Sequence, residues 1–271
     1  MPATYADIAA AARQIRVRVL EMAHVARTPH VGSALSCADI IAALYFRVLR
    51  IDPRSPADEH RDRFLLSKGH GCTALYAALA LRGFCDPALL EEYARDGGRL
   101  PEHPAPRCLP GIDFASGSLG HGLAVGAGLA LSARLRGFAF RVFVLLSDGE
   151  CYEGSVWEAA IFAAAQKLAS LTAIVDFNQW SASSRTAPAL EPLAAKWKNF
   201  GWAVKEIDGH DPRAIVRALS AQPDVRQRPR VIVARTVKGK GVSFMEDDNN
   251  WHYRSPTAEE VVLAHKELGL A

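Results

Sequence analysis

RVFVLLSDGECYEGSVWEAAIFAAAQKLASLTAIVDFN, residues 141–178, is the stretch on which the reading of the whole chain turns. Arg141 to Leu146 is a short β-branched and aromatic run that stops at Ser147-Asp148-Gly149. Gly154 opens a helix expected to reach about Leu168, with Trp157, Ile161, Ala164 and Leu168 spaced along one side. Leu171 to Phe177 is a second apolar run, closed by Asn178. Strand, helix and strand within roughly 35 residues is the size of one βαβ unit. The pattern then repeats, with Trp202 to Ile207 as a strand, Pro212 to Leu219 as a helix and Arg230 to Thr236 as a strand. Such alternation predicts an α/β fold: a parallel central sheet with helices on both faces.

Upstream of this segment the first third reads as helical. Ile8, Ile15, Val19 and Met22 recur at helical spacing. A second helix is expected from Cys37 to Val48, with Ile40, Ile41, Leu44 and Val48 on one face. A third is expected from about Gly71 to Arg82, closed by Gly83. Pro101 to Pro110 holds four prolines and reads as a loop. No internal repeat or low-complexity linker divides the chain. Residues 1–271 are therefore read as a single domain whose helical N-terminal part covers about residues 1–100.

Composition removes several classes of function. A formal net charge of +3, with no block of like charge, gives no footprint for nucleic acid. No apolar run approaches the ~20 residues of a membrane span. Met1 to Ala12 carries Asp7 and has no basic region followed by an apolar core, which does not fit a secretory signal. The five cysteines, Cys37, Cys72, Cys85, Cys108 and Cys151, are odd in number and widely spaced without a C-x-x-C. That pattern fits reduced thiols in a cytoplasm better than a disulfide framework or a zinc site.

In parallel sheets ligands bind beyond the carboxyl ends of the strands, and Asp148 and Asn178 both fall there. They lie 30 residues apart, each just past a strand, so neighbouring strands would set them side by side. A carboxylate and an amide oxygen suit a hard ion such as Mg²⁺, which takes further oxygens from phosphates and water. Gly149 lets backbone approach a phosphate, and the helix start that follows favours anions. Asp-Gly as a plain turn and Asn as a plain cap are the competing roles for these residues.

The wider segment carries more than either residue. Ser147-Asp148-Gly149-Glu150, Glu153-Gly154, Trp157-Glu158-Ala159, Lys167-Leu168 and Ile174-Val175-Asp176-Phe177-Asn178 together resemble the thiamine diphosphate signature of the transketolase family. Five more stretches match that family in order and spacing across about residues 10–255. They are His30-Val31-Gly32-Ser33 with Ala38-Asp39-Ile40, then Asp62 through His70, then Pro101-Glu102-His103-Pro104. Gly117-Ser118-Leu119-Gly120-His121-Gly122 follows, and finally Val237-Lys238-Gly239-Lys240-Gly241-Val242 with Trp251-His252. Two departures stand out: Ser147 replaces the first Gly of the signature, and Gln179-Trp180-Ser181-Ala182 replaces an Ile-Asp-Gly type loop.

The resemblance implies a thiamine diphosphate-binding fold of the diphosphate-binding type, with thiamine diphosphate and Mg²⁺ as cofactors (Ca²⁺ or Mn²⁺ substituting). Asp148, Asn178 and the backbone carbonyl of Trp180 would ligate the metal. Gly117, Leu119, His121, Gly149, Glu150, Asn178 and Lys238 would contact the cofactor. His30, His70, His103 and His252 would line the channel above it as catalytic residues, binding sugar hydroxyls and shuttling protons. Glu153 would join a carboxylate network across a subunit interface. Plainer alternatives remain open: His121 as a helix-start residue, Glu153 as charge compensation at a helix N-terminus, and Lys238 and Lys240 as loop charges.

A full-length transketolase is more than twice as long, and the sequence stops soon after Trp251-His252. The resemblance therefore implies a separate partner, a C-terminal transketolase subunit with the pyrimidine-binding domain and its activating glutamate, in a heterotetramer. Together they would act as a transferase, moving a two-carbon ketol unit from a ketose, often phosphorylated, to an aldose. The competing readings are a deoxyxylulose phosphate synthase-like or 2-oxoacid dehydrogenase-like component and a non-catalytic scaffold subunit. A nicotinamide-binding domain is disfavoured because no G-x-G-x-x-G follows an N-terminal strand.

Overall fold

A computed structural model describes residues 3–270 apart from Pro223 and Val225. The helices of the N-terminal part are α1 (Tyr5–Ala26), α2 (Val31–Ser36) and α3 (Ala38–Ala43), the last running on into a wider π-helical turn at Leu44–Val48. Then come β1 (Arg63–Leu66), α4 (Cys72–Leu81), α5 (Gly122–Leu135), β2 (Val142–Ser147), α6 (Gly154–Ala165) and β3 (Leu171–Phe177). The chain ends with α7 (Ala187–Leu190), α8 (Leu193–Asn199), β4 (Ala203–Asp208), α9 (Pro212–Leu219), β5 (Arg230–Arg235) and α10 (Ala258–Glu267).

The five strands form one sheet in the order β1-β2-β3-β5-β4, and every neighbouring pair is parallel. Side-chain alternation divides the core into two. Phe64, Leu66, Phe143, Leu145, Ile174, Ile232 and Ala234 face a cluster with α1–α4 and α9. Leu65, Val142, Val144, Leu146, Ala173, Val175, Val231 and Val233 face α5, α6 and α8. Because both faces are covered, β2 and β3 are buried at every position and read as continuous apolar runs. The expected architecture is thus the observed one.

Local signals explain the element ends. Thr4 and Asp7 form a reciprocal capping box at the start of α1, and Arg27 closes it in the left-handed region at φ 53°. Asp211 caps α9 by accepting from the Arg213 N–H, with Pro212 at the first helical position. Three expectations need correction. The first third is not wholly helical, since it contains β1, four residues too short to show a period. The helix expected from Cys37 to Val48 is preceded by α2, broken from it at Cys37 and ended by the π-helical turn. In α6 the buried face is Val156, Ala159, Ala160 and Ala163, while Ile161 is 55% exposed. Small alanines are what permit the close approach to α5, whereas Trp157 lies over Trp197 and Phe200, beyond the helix-to-sheet contact.

Candidate functional site

The segments following β1, β2, β3 and β5 converge at the carboxyl edge of the sheet, carrying Lys68 and His70, Asp148, Asn178, and Lys238 respectively. Asp148 and Asn178 follow directly paired strands and are both buried. The Gln179 N–H donates to Asp148 Oδ2 at 2.7 Å, so the carboxylate points towards the end of β3. Gly149 N–H donates to Oδ1 at 2.8 Å and the Thr186 hydroxyl to Oδ2 at 2.7 Å. Burial, reinforced by the Asp176 charge, pushes the Asp148 carboxyl up to about 7 despite these donors. Asn178 uses its Nδ2 on Asp176 Oδ2 and Ser36 Oγ, while its Oδ1 accepts from the Trp180 N–H.

Two buried carboxylates brace this edge. Asp176, inside β3, accepts from Lys68, Ser36, Thr236 and Asn178, which ties the ends of β1, β3 and β5 to α2. Lys68 and Asp176 are both fully buried, and Lys68 also donates to the Ser33 carbonyl at 2.8 Å. Glu150 accepts from the Ser67 hydroxyl, the Gly120 N–H at 2.8 Å and the Ser147 N–H at 3.3 Å. Its side chain, expected among the cofactor contacts, is thus engaged in holding the loop that carries Gly117 and Leu119. Ser147, where the signature has Gly, returns a cap: its hydroxyl accepts from the Glu150 N–H at 3.1 Å. Within the same loop a Cβ on Gly122 would lie 2.3 Å from Ser67 Oγ and one on Gly120 2.4 Å from Ser155 Oγ, so only glycine lets the loop pack this closely.

The four expected channel histidines do come together. Ring centroids of His30 lie 4.8 Å from His252, 5.4 Å from His70 and 6.3 Å from His103. His30 is held in the left-handed region at φ 72°, and its N–H donates to the His252 carbonyl at 3.1 Å. Lys238 is buried beside them, donating to Asn249 Oδ1 at 2.7 Å and lying 3.2 Å from His252 Nδ1. Burial and the Lys68 charge push Lys238 down to about 8. His121 and Gly117 are exposed at the loop rim, and Glu153 is exposed at the N-cap of α6.

Burial, with the positive charges of Lys238 and Lys68, pushes His30 down to about 4 and His252 to about 3. The folded chain therefore refuses protons that the unfolded chain accepts below about 6.5. These groups contribute stability that is complete above that pH and is lost as pH falls towards 4. Asp148, with its raised value, works in the opposite sense, so the comparison must be between variants. We expect the midpoint of thermal unfolding to fall less between pH 6.5 and 4.5 in H30N/H252N than in the parent; equal slopes would contradict the neutral-imidazole assignment.

Several residues that complete the site were not singled out in the sequence. Asp176 has a visible signal, as the one charged residue inside the apolar run of β3. His210 accepts from the Val237 N–H at its Nε2 (2.9 Å) and donates from Nδ1 to Asp39 (2.8 Å), which is also paired with Arg16. That chain of bonds positions the turn before Lys238. Thr186 carries no sequence signal at all. Among the described residues no group of three or more His, Cys, Asp or Glu side chains could hold a metal. All five cysteines are free, and no helix among the described residues is long and apolar enough to cross a membrane.

A fully parallel sheet with buried Asp148, Asn178, Lys68 and Lys238 gathered beyond its carboxyl ends defines an α/β domain of the kind that binds ligands at that edge. Residues 8–271 match the family described as transketolase, thiamine diphosphate binding domain, and the chain belongs to that family as an N-terminal transketolase subunit. It is 41% identical over 264 residues to a 6-deoxy-6-sulfo-D-fructose transketolase subunit from Clostridium sp., covering 97% of this chain and 96% of the relative. It is 38% identical over 255 residues to an apulose-4-phosphate transketolase subunit from Phocaeicola vulgatus, covering 93% and 90%. Human transketolase is 37% identical over 245 residues, but the match covers 89% of this chain and only 38% of the human protein. Among solved structures, transketolase from Leishmania mexicana superposes with a TM-score of 0.90 at 28% identity, covering 99% of this chain and 42% of that one. The chain therefore spans about four-tenths of the solved transketolases it resembles.

Proposed function

We propose that this chain is the diphosphate-binding half of a split, thiamine diphosphate- and Mg²⁺-dependent transketolase. The other half is a separate polypeptide carrying the pyrimidine-binding domain and the activating glutamate, in a heterotetramer with two copies of each. The observation that carries the reading is the pairing of Asp148 and Asn178 on adjacent strand ends, joined through the Gln179 N–H at 2.7 Å. Relatives of nearly the same length named as transketolase subunits support the split.

The donor set fits the cofactor. Asp148 is a fully buried carboxylate, raised by burial and by the Asp176 charge, and Asn178 Oδ1 and the Trp180 carbonyl add neutral oxygens. Two or three protein oxygens with the remainder from phosphate and water is how Mg²⁺ is commonly held. Bound thiamine diphosphate supplies the electron sink needed to break and re-form a C–C bond beside a carbonyl. The chain's own residues bind and orient. Gly117, Leu119, His121 and Gly149 offer backbone or edge contacts to the diphosphate side, and Lys238 supplies a positive charge there. His30, His70, His103 and His252 receive the sugar hydroxyls. Held neutral at pH 7, imidazoles such as His30 and His252 can accept a proton from a hydroxyl and return it. The substrates are a ketose, often phosphorylated, and an aldose acceptor.

The test compares ketol transfer by the chain alone, by a chain carrying the pyrimidine-binding domain, and by the two mixed. Turnover is expected only in the mixture. Turnover by this chain alone would refute the half-site reading.

A further inference from the structure

The loop after Asn178, where the sequence departs from its family, is a small hairpin with almost no packing of its own. Trp180 and Arg185 face each other across an antiparallel bridge, Thr186 N–H donates to the Gln179 carbonyl at 3.0 Å, and residues 182–185 are exposed. Both ends of the hairpin are anchored on Asp148 Oδ2, by the Gln179 N–H and the Thr186 hydroxyl, each at 2.7 Å. Its flank is anchored on the loop after β5: Asn249 Nδ2 donates to the Ala182 carbonyl at 2.9 Å, Lys238 Nζ to the Ser181 carbonyl at 3.4 Å, and Asp247 holds the two side chains of the bridge. Asp247 Oδ1 accepts from the Trp180 indole N–H at 2.8 Å, and its two oxygens accept from Arg185 Nη1 and Nη2 at 2.6 Å each. The Arg185 guanidinium lies 3.9 Å above the Trp180 ring, so indole, guanidinium and carboxylate form one rigid unit. Asp247 reaches this position from the left-handed region at φ 59° and is held there by its own N–H on the Lys238 carbonyl at 2.8 Å.

An exposed Arg–Asp pair contributes little to folding. A planar fork stacked on an indole and meeting a carboxylate with two bonds instead fixes direction. The direction fixed is that of Trp180, whose carbonyl accepts no hydrogen bond from any described residue. We infer that Asp247 is a positioning residue: through Trp180 and Arg185 it clamps the hairpin so that the Trp180 carbonyl is presented beside Asp148 and Asn178. The inference rests on the proposed reading of that site as the seat of Mg²⁺ and thiamine diphosphate. It adds a device whose fixing residues, Asp247 and Arg185, lie outside the ligand set and couple the loop after β3 to the loop after β5.

The test is calorimetric titration of Mg²⁺, and separately of Ca²⁺, into the full chain with saturating thiamine diphosphate, together with its pyrimidine-domain partner if the chain alone does not take the cofactor. The parent is compared with D247A, D247N, R185A and R185A/D247A, and each variant's thermal midpoint is recorded. Mg²⁺ demands near-ideal octahedral geometry, whereas Ca²⁺ tolerates a displaced oxygen. A loosened carbonyl should therefore weaken Mg²⁺ about tenfold in D247A and Ca²⁺ by only about threefold, with the midpoint unchanged. D247N, which keeps an acceptor for the indole, should fall between parent and D247A. The double variant should lose no more than D247A alone, because the residues act as one unit. Parent-like Mg²⁺ affinity in D247A, or an equal loss for both ions with a lowered midpoint, would overturn the clamp and leave the site reading standing. Failure of the parent to bind Mg²⁺ at all would overturn the site reading, and the clamp with it.

Discussion

Replacing Asp148 by alanine will reduce Mg²⁺-dependent binding of thiamine diphosphate at least ~100-fold, more than loss of any supporting residue around a metal. Asp148 supplies the only carboxylate in the proposed ligand set, and both its oxygens are already oriented, Oδ1 by Gly149 and Oδ2 by Gln179 and Thr186. The informative companion is Asp148→Asn, which keeps the shape and removes the charge. Burial, with the Asp176 charge beside it, raises the Asp148 carboxyl to about 7 against an ordinary 3.8. The sign follows directly: the folded state holds the proton more tightly, so this group's contribution is fullest below about 4 and is lost as pH rises through about 7. D148N removes that loss. At pH 8 it should unfold at the same temperature as the parent or higher, while failing to respond to Mg²⁺. That pair of outcomes, no loss of stability and no response to Mg²⁺, would mark Asp148 as a carboxylate kept for its ligand. If D148N bound Mg²⁺ and cofactor with parental affinity, the ligand assignment would be wrong however stable the protein.

The parts of this architecture that could be read in advance are those in which local chemistry and tertiary need coincide. β2 and β3 are largely apolar runs buried at every position because helices cover both faces, and Asp148 and Asn178 mark their ends because polar backbone must turn there. α9 was expected at Pro212 to Leu219 and lies there, since its Asp211 cap and Pro212 start are local features. β1 was not: four residues between Arg61-Asp62 and Ser67-Lys68 are strand only because they pair with β2. The buried face of α6 was misread because alanines carry little periodic signal, whereas the exposed Ile161 carries much. In the site, the histidines were found through their motifs, and the structure adds that the His30 ring centroid lies 4.8 to 6.3 Å from those of the other three. Thr186, His210 and Asp247 were out of reach, since each matters through a partner 27 to 67 residues away, and nothing in a linear sequence marks such a bond.

Lys68→Met should destabilise the chain by about 3–5 kcal/mol, the cost of leaving one member of a buried ion pair unpartnered. For a domain of this size that lowers the unfolding midpoint by roughly 10 °C. Burial alone would push the Asp176 carboxyl up and the Lys68 ammonium down. Each instead moves the other way, because the partner's charge and hydrogen bond outweigh the desolvation. Methionine fills much of the same volume but leaves Asp176, fully buried, with only the Ser36 and Thr236 hydroxyls and the Asn178 amide as donors. Asp176 will then take up a proton, and the parent's contribution, present above about 3.8 and lost only in strong acid, will be lost at higher pH. A neutralised partner should relieve the strain, so K68M/D176N should be more stable than the sum of its single variants implies. The functional consequence is separate. Asn178 is held through its Nδ2 by Asp176 while its Oδ1 accepts from the Trp180 N–H, and a protonated Asp176 can donate where it formerly accepted. K68M should therefore weaken Mg²⁺ binding even at temperatures where it is fully folded. Denaturant unfolding and Mg²⁺ titration on the same preparations separate the two effects. A K68M chain as stable as the parent would mean that Asp176 finds its compensation elsewhere and that the pair does not brace the sheet edge.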